Sequence, residues 1–174
     1  IDCIRVRYPV VSTRIYGMAL TSTVDPKAYH TLVDKQVDLM GIQADSLTLT
    51  GFSILDQIRD GSYRADAVEL FGGVFEIHHD KSIPAGPHIY KPLPAAAILG
   101  MPVTLAVDTL RAVHCEVRYS ERMKRGDAYG TIAFTDIDGL LTGLSNAPDS
   151  APADLHLHGT ARIAGKGRAM LDLR

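Results

Sequence analysis

Apolar and polar residues alternate along most of this chain, which is the pattern of β-strands with one buried and one solvated face. The first strand shows the alternation clearly, with Ile4, Val6 and Tyr8 on one face and with Arg5 and Arg7 on the other. The same pattern predicts further strands over residues 14–21, 46–54, 67–79, 102–119, 129–135, 155–164 and 168–173.

Glycine and proline residues interrupt these strands. The pair Gly72-Gly73 predicts a bulge or a sharp bend, and the long strand at 102–119 is expected to bend midway. Closely spaced prolines exclude regular structure from most of residues 82–102, because proline lacks the N–H group that a strand ladder requires. A second loop, predicted to be mobile, covers residues 145–154. Gly165-Lys166-Gly167 predicts the turn of a closing β-hairpin.

One stretch has helical periodicity instead. Its apolar residues fall on one stripe: Tyr29, Leu32, Val33, Val37 and Met40. Asp25 is placed to cap the amino terminus, Pro26 suits the first turn, and Gly41 follows as a stop. The sequence therefore predicts one main amphipathic helix near residues 26–40, and a short turn of helix over residues 55–60.

These elements predict an α+β fold that is mostly antiparallel β, with about eight strands arranged as a sandwich or a partly open barrel. A chain of 174 residues is long enough for one domain with its own core, so a single domain over residues 1–174 is expected. No apolar run approaches the roughly 20 residues that span a bilayer, so an integral membrane protein is not expected.

Composition narrows the function classes. The net charge is −2, from 18 basic and 20 acidic residues, so no overall basicity indicates a nucleic-acid-binding protein. Cys3 and Cys115 are too few for a disulfide scaffold, so two reduced, buried thiols are expected, with a single long-range bridge as the alternative. The first residues do not show a basic stretch followed by an apolar run, and this favours an intracellular protein, cytoplasmic or virion-associated.

Charge is unevenly distributed along the last third of the chain. The predicted basic patch consists of Arg111, Arg118, Arg122, Lys124, Arg125, Lys166 and Arg168. The predicted acidic loops contain Asp127, Asp136, Asp138, Asp149 and Asp154. Such segregation suits copies that dock a basic segment on an acidic one, so a second copy of the chain is the first expected partner. A local basic face for anionic lipid or nucleic acid is one alternative, and an ordinary solvated surface is the other.

Candidate catalytic and metal-binding residues are few. The string Asp136-Ile137-Asp138-Gly139 follows an apolar strand, as in phosphatases of the haloacid dehalogenase type. Those enzymes need further lysine and acidic residues, so the string is interpreted as a strand that ends in a turn. The histidines that could ligate a metal are His156 and His158 on one strand face, with His78, His79 and His88. No established ligand spacing accompanies them, so neither metal nor cofactor is predicted, and the catalytic residues are unknown.

Two known families share features with this sequence. A strand, a helix, further strands and the closing segment 165–173 resemble the element order of rhabdovirus matrix proteins. The segment 102–111, an apolar strand that ends in Asp108 and is followed by Arg111, is similar to the core of the plant-virus movement proteins. These resemblances imply a viral protein of matrix, coat or movement type.

The leading hypothesis is a non-enzymatic structural or interaction protein that self-associates, because segments of opposite charge occur without a convergent catalytic set. The alternative is a small enzyme of the hotdog type, a thioesterase or dehydratase, in which an antiparallel sheet wraps one long helix. Its acid–base residues would come from His30, Asp34, His78 or His79. A third possibility is a metal- or ligand-binding module built on His156 and His158.

Overall fold

The computed structural model describes residues 3–7, 12–26, 28–53, 58–85, 100–125, 128–147 and 155–173. The elements in these segments are β1 (Cys3–Arg7), β2 (Ser12–Leu20), a 3₁₀ turn (Tyr29–Thr31), β3 (Leu39–Thr50), β4 (Tyr63–Phe71), β5 (Val74–Asp80), β6 (Leu105–Arg122), β7 (Tyr129–Ser145), β8 (His156–Ile163) and β9 (Gly167–Leu173). Residues 58–60 are also helical, within the short turn predicted over residues 55–60.

All of these strands belong to one sheet, in the order β1-β2-β3-β4-β6-β7-β8-β9, with β5 paired to β3 and β6. Neighbouring strands are antiparallel, except that β6 runs parallel to β4 and β5. The prediction of a β-rich, mostly antiparallel fold with about eight strands is therefore confirmed. The described strands form a single sheet with edges at β1 and β9, and not the two stacked sheets of a sandwich.

Strands β4 and β5 are two halves of one long strand. On β3, Ser46 pairs with Phe71 of β4 and Gln43 pairs with Val74 of β5, so the register is the same on both sides of the break. Only Gly72 and Gly73 lie between the halves. The bend predicted at these two glycines is confirmed, and it leaves the strand pairing in register.

A line of irregular backbone crosses the sheet at this bend. Positive φ angles occur at Gly17 (58°), Gly72 (62°), His114 (52°) and Asp136 (49°), which belong to or flank neighbouring strands. The register places Asp45 of β3 between Gly17 and Gly72. A methyl group built on Gly72 would overlap the carboxylate of Asp45, so this glycine is required both by its φ angle and by its neighbour. These five residues are named the first crease.

A second line of irregular backbone, named the second crease, crosses β4, β6 and β7 and passes the end of β3. Gly51 and Gly143 have φ angles of 68° and 72°. The register places Asp66 opposite Gly51, and Asp108 opposite both Asp66 and Gly143. The carboxylate of Asp66 fills the space that a Cβ on Gly51 would occupy. Both creases therefore contain an aspartate that lies against a positive-φ glycine of the adjacent strand.

The creases decide which residues face the core. Core-facing residues are two positions apart along a regular strand but three apart across a crease, because one left-handed or bulged residue inverts the alternation. The core-facing residues of β6 show both intervals: Leu105, Val107, Leu110, Ala112, Cys115, Val117 and Tyr119. Neighbouring strands cross the first crease at corresponding positions from β2 to β7, and the second from β3 to β7, so they invert together and one face of the sheet stays apolar.

Two apolar clusters occupy this face. The first contains the buried residues Ala44, Leu70 and Cys115, and the second contains Ala65, Val107 and Leu144. No large side chain in the described segments is completely buried. Apart from two short helical turns, every described element belongs to the sheet itself, so none of them forms a second layer over the apolar face.

The main helix predicted near residues 26–40 is not formed. Residues 28–38 contain only the 3₁₀ turn, and β3 begins at Leu39. Leu32, Val37 and Met40 from the predicted stripe are 63%, 56% and 63% exposed. A helix of this length is marginal in water unless its apolar stripe packs on a core, and the stripe has no such support here.

Strand β7 continues well beyond the predicted segment 129–135. The pattern predicts that the string from Asp136 to Gly139 ends the strand in a turn, but the strand runs through it to Ser145. Asp136 adopts its positive φ as part of the first crease, and Asp138 accepts a hydrogen bond from the backbone N–H of His114 (3.1 Å). The residues typical of turns therefore produce a bulge instead of a chain reversal.

Two other predicted irregularities are confirmed. The β8–β9 hairpin turns at residues 164–166, and the β6–β7 pairing shifts register between Ala112 and Val117, midway along the long strand. The predicted loops at 82–102 and 145–154 fall largely on residues 86–99 and 148–154, which lie outside the described segments. Among the described residues, no helix has the length and apolar character needed to cross a membrane.

Candidate functional surface

The apolar face of the sheet carries four exposed side chains on β7, β8 and β9, besides Leu20 and Met40 on β2 and β3. Ile132, Ile163, Leu171 and Leu173 are 51%, 40%, 47% and 53% exposed. Strand pairing places all four on the core-facing side, because each lies opposite or in line with core-facing residues of the next strand. These four side chains are named the exposed apolar end.

Strand β9 forms an edge of the sheet next to this apolar end. Ala169 and Leu171 lie on the apolar face, whereas Arg168, Met170 and Asp172 lie on the polar face. Its pairing with β8 is continuous and contains no register shift, and the strand contains no proline. Edge strands are usually protected by prolines, bulges or lysines, because their free N–H and C=O groups can pair with another strand.

The opposite face carries the charges, and strand pairing brings them together within the chain. Arg111 lies 3.8 Å from Glu69 on the neighbouring strand. Arg118 contacts Glu116 at 2.6 Å and Glu76 at 3.3 Å, and these carboxylates raise the pKa of its guanidinium. Two residues of the predicted basic patch are thus neutralised by acidic residues of their own chain.

Arg122 forms the most buried of these ion pairs. Its Nη1 lies 3.3 Å from Asp80 Oδ2, and the two side chains are only 12% and 5% exposed. Burial alone would raise the pKa of Asp80, but hydrogen bonds from Ser82 and the contact with Arg122 outweigh burial and lower it. A pair buried to this degree is structural, because removing one partner would leave an unpaired buried charge.

The remaining predicted charges have different surroundings. Lys124 and Arg125 are exposed in the β6–β7 connection. Four others line one shallow depression on the polar face: Asp136, Asp138, Lys166 and Arg168. Asp136 also lies 3.8 Å from Arg162, so basic and acidic residues meet here within one copy. The predicted acidic residues Asp127, Asp149 and Asp154 lie outside the described segments.

A partly buried carboxylate–histidine pair lies at the end of the sheet where β3 begins. His79 Nδ1 is 2.6 Å from Asp38 Oδ1, and the two side chains are 19% and 18% exposed. His79 is one of the predicted acid–base residues, but its partner is Asp38 and not the predicted Asp34, which is exposed. His30 lies in the 3₁₀ turn, and His78 occurs on β5 with a buried Nδ1 that has no hydrogen-bond partner among the described residues.

Further polar groups adjoin this pair. The Tyr119 hydroxyl donates a hydrogen bond to Glu121 (3.1 Å), and Glu121 also contacts Lys81 Nζ at 2.7 Å. The hydrogen bond from Lys81 lowers the pKa of Glu121, whereas burial and Glu121 raise the pKa of Tyr119. The Glu121 carboxylate, the His79 imidazole and the Lys81 ammonium group therefore lie close together at this end of the sheet.

The candidate metal ligands are not brought together. Both His156 and His158 are exposed on β8, and His158 Nδ1 lies 3.7 Å from Asp172. His88 lies outside the described segments. Among the residues that the structure describes, no group of three or more histidine, cysteine, aspartate or glutamate side chains could hold a metal ion.

A regular two-residue alternation does not show how far the apolar face extends along the strands. A strict two-residue alternation assigns Leu110 and Cys115 to different faces, although both point towards the core. The signal that could reveal the face is a spacing of two and three residues between apolar positions, with Asp108 and His114 at the longer steps.

The chain matches no known protein family, and comparison with curated proteins and with solved structures finds no significant relative. The resemblances to rhabdovirus matrix proteins and to plant-virus movement proteins therefore stay predictions, as does an intracellular location.

Proposed function

We propose that this chain is a non-enzymatic structural protein that acts by self-association, and that a second copy covers its exposed apolar end. The observation that carries the proposal is an amphipathic sheet whose apolar face lacks a second layer among the described elements. Sheets with one apolar face are stable when that face packs against another layer. A second copy can shield part of that face without requiring any other molecule.

The size of the exposed apolar end supports this proposal. Each of its four side chains is about half exposed, and complete burial of such a side chain contributes about 1.5–3 kcal/mol. Covering the remaining half therefore contributes about 1 kcal/mol for each side chain, or about 8 kcal/mol for two copies. This contribution is comparable to the cost of bringing two molecules together, so it offsets that cost, and the net affinity comes from the further contacts between the copies.

Sedimentation velocity over a concentration series tests the proposal. We expect the wild-type chain to associate and Leu171→Glu to weaken the association at least tenfold, since this change places a charge on the apolar end. Leu140→Glu is the matched control, because Leu140 is 41% exposed but lies on the polar face beside Arg111. A wild-type chain that stays monomeric up to about 500 μM contradicts the proposal. So does equal weakening by both substitutions.

Acid–base catalysis is a second candidate function, favoured by the contact between Asp38 and His79. A carboxylate on Nδ1 orients the imidazole and leaves Nε2 available to take a proton from a substrate. The helix that the sheet of a hotdog enzyme wraps is not formed at residues 28–38. This candidate therefore retains the predicted acid–base chemistry but not the hotdog architecture.

Hydrolysis of acyl thioesters of several chain lengths tests the second candidate. His79→Asn should lower turnover at least a hundredfold, because the variant lacks the general base. His156→Asn should leave turnover unchanged. His156 is an exposed strand histidine and serves as the control. Turnover that is equal in the two variants, or absent from the wild-type protein, contradicts catalysis at His79.

A further inference from the structure

We propose that two copies join through their β9 edges, as an antiparallel pair centred on Met170, to form one continuous sheet. The inference rests on the proposed self-association and places the contact at the β9 edge, where it reaches Leu171 and Leu173 but not Ile132 of β7. Strand β9 covers seven residues and pairs only with β8 among the described strands. Its Met170 side chain is 74% exposed. An edge of this kind adds a strand readily, because its outward N–H and C=O groups need partners.

The charges on β9 are self-complementary in this register. An antiparallel pair centred on Met170 places Arg168 opposite the Asp172 of the other copy, and by symmetry this pair occurs twice. Opposite charges at directly opposed positions stabilise an antiparallel pair, whereas like charges destabilise it. Charges on an edge strand normally discourage pairing, but this arrangement favours pairing of the edge with itself.

The surroundings of Arg168 within one copy support the same partner. Its cross-strand neighbour on β8 is Arg162, so two cations lie directly opposite each other. Arg162 has a carboxylate, Asp136, at 3.8 Å, but within the described residues Arg168 has no carboxylate of its own within 4 Å. The Asp172 of a second copy would provide one, which makes the pairing of copies electrostatically favourable.

The side chains on the apolar face also fit this register. Leu171 lies opposite the Ala169 of the other copy, and Leu173 lies opposite its Gly167. A large side chain is therefore matched with a small one at each of these positions, so the leucines can lean across the joint. The two leucines, 47% and 53% exposed in one copy, would lose part of that exposure.

The other edge is less suited to pairing with itself. Arg5 lies at the centre of β1, so an antiparallel pair of β1 edges centred there would place two arginines opposite each other. The pairing of two β9 edges is isologous and closed, which predicts a dimer and not a growing fibre.

Charge reversal tests the register by sedimentation velocity. Arg168→Asp should raise the dissociation constant of the dimer at least tenfold, because the new carboxylate of each copy then lies opposite the Asp172 of the other. Asp172→Arg should have the same effect through two arginine pairs. An equimolar mixture of the two variants should associate as tightly as the wild type, because every opposed position then carries opposite charges. Arg64→Asp, at an exposed position on β4, is the matched control and should leave the dissociation constant unchanged.

The outcomes separate the two proposals. A monomeric wild-type chain overturns self-association and the β9 pairing with it. A wild-type dimer whose dissociation constant is unchanged by the single reversals overturns only the β9 pairing. The same conclusion follows if both reversals weaken the dimer but their mixture fails to restore it. Weak single variants and a restored mixture support the β9 pairing, because they show that position 168 of one copy lies near position 172 of the other.

Discussion

Replacing Gly72 by alanine should destabilise the sheet through two separable effects. Gly72 has a φ of 62°, and a left-handed conformation costs a residue with a Cβ about 1–2 kcal/mol. The new methyl group also overlaps the carboxylate of Asp45, and overpacking of this kind costs about 1–3 kcal/mol. We therefore expect Gly72→Ala to lower the free energy of unfolding by about 3 kcal/mol.

Two variants separate the contributions. Gly165 in the β8–β9 turn has a similar φ of 68°, but a Cβ built there meets no atom within 4 Å, so Gly165→Ala measures the backbone cost alone. Replacing Asp45 by alanine removes the overlapping carboxylate and leaves only the Cβ at 3.1 Å, so Gly72→Ala should cost little more in that background than Gly165→Ala costs in the wild type.

Thermal denaturation followed by circular dichroism measures these differences. In a chain of 174 residues, 1 kcal/mol corresponds to a shift in Tm of about 2–4 °C, so the expected losses are about 9 °C for Gly72→Ala and about 4 °C for Gly165→Ala. All variants must be compared at one protein concentration, because self-association would itself raise Tm. The reasoning is refuted if Gly72→Ala costs no more than Gly165→Ala, or if removing Asp45 gives no relief.

Three further predictions concern the core and the titratable groups. The pKa of Asp80 is lower in the folded chain than its unfolded value of about 4. The contribution of Asp80 to stability is therefore complete above about pH 4 and is lost as the pH falls through the folded pKa. Asp80→Asn should lower Tm at neutral pH and make the decline of Tm in acid less steep. Leu70→Ala should lower the free energy of unfolding by about 2–4 kcal/mol in urea titrations, because Leu70 is 8% exposed, and a loss below about 1 kcal/mol would contradict its place in the core. A thiol reagent should modify the exposed Cys3 in the native chain and the buried Cys115 only after unfolding; rapid native reaction of both would show that the core is open.

Local pattern predicted most strands of this molecule, because a half-buried strand records its two faces in its own residues. The break at Gly72-Gly73 and the hairpin at residues 164–166 could also be predicted, since turns and bends depend on local backbone preferences. The helix predicted from the apolar stripe between Tyr29 and Met40 is wrong for a related reason. Its helical periodicity is real, but helices depend on a surface to pack against, and the pattern does not show whether that surface exists.

The candidate surface was harder to predict because it depends on strand register. Asp38 and His79 are 41 residues apart in sequence, and the pairing of β3 with β5 brings them together. The neutralisation of Arg118 by Glu76 depends on the pairing of β5 with β6, a parallel contact that local alternation does not indicate. Charge counted along the chain therefore suggested a basic patch where the sheet has alternating signs.

The two creases limit how this molecule can change in length. Deleting one residue of β6 between Asp108 and His114 would turn over every position beyond the deletion, so that Arg118 would point into the apolar side. Neighbouring strands could stay matched only if each of them lost a residue at the same level. Insertions and deletions should therefore be tolerated in the connections between strands. Within the sheet, the lengths of paired strands should change only together.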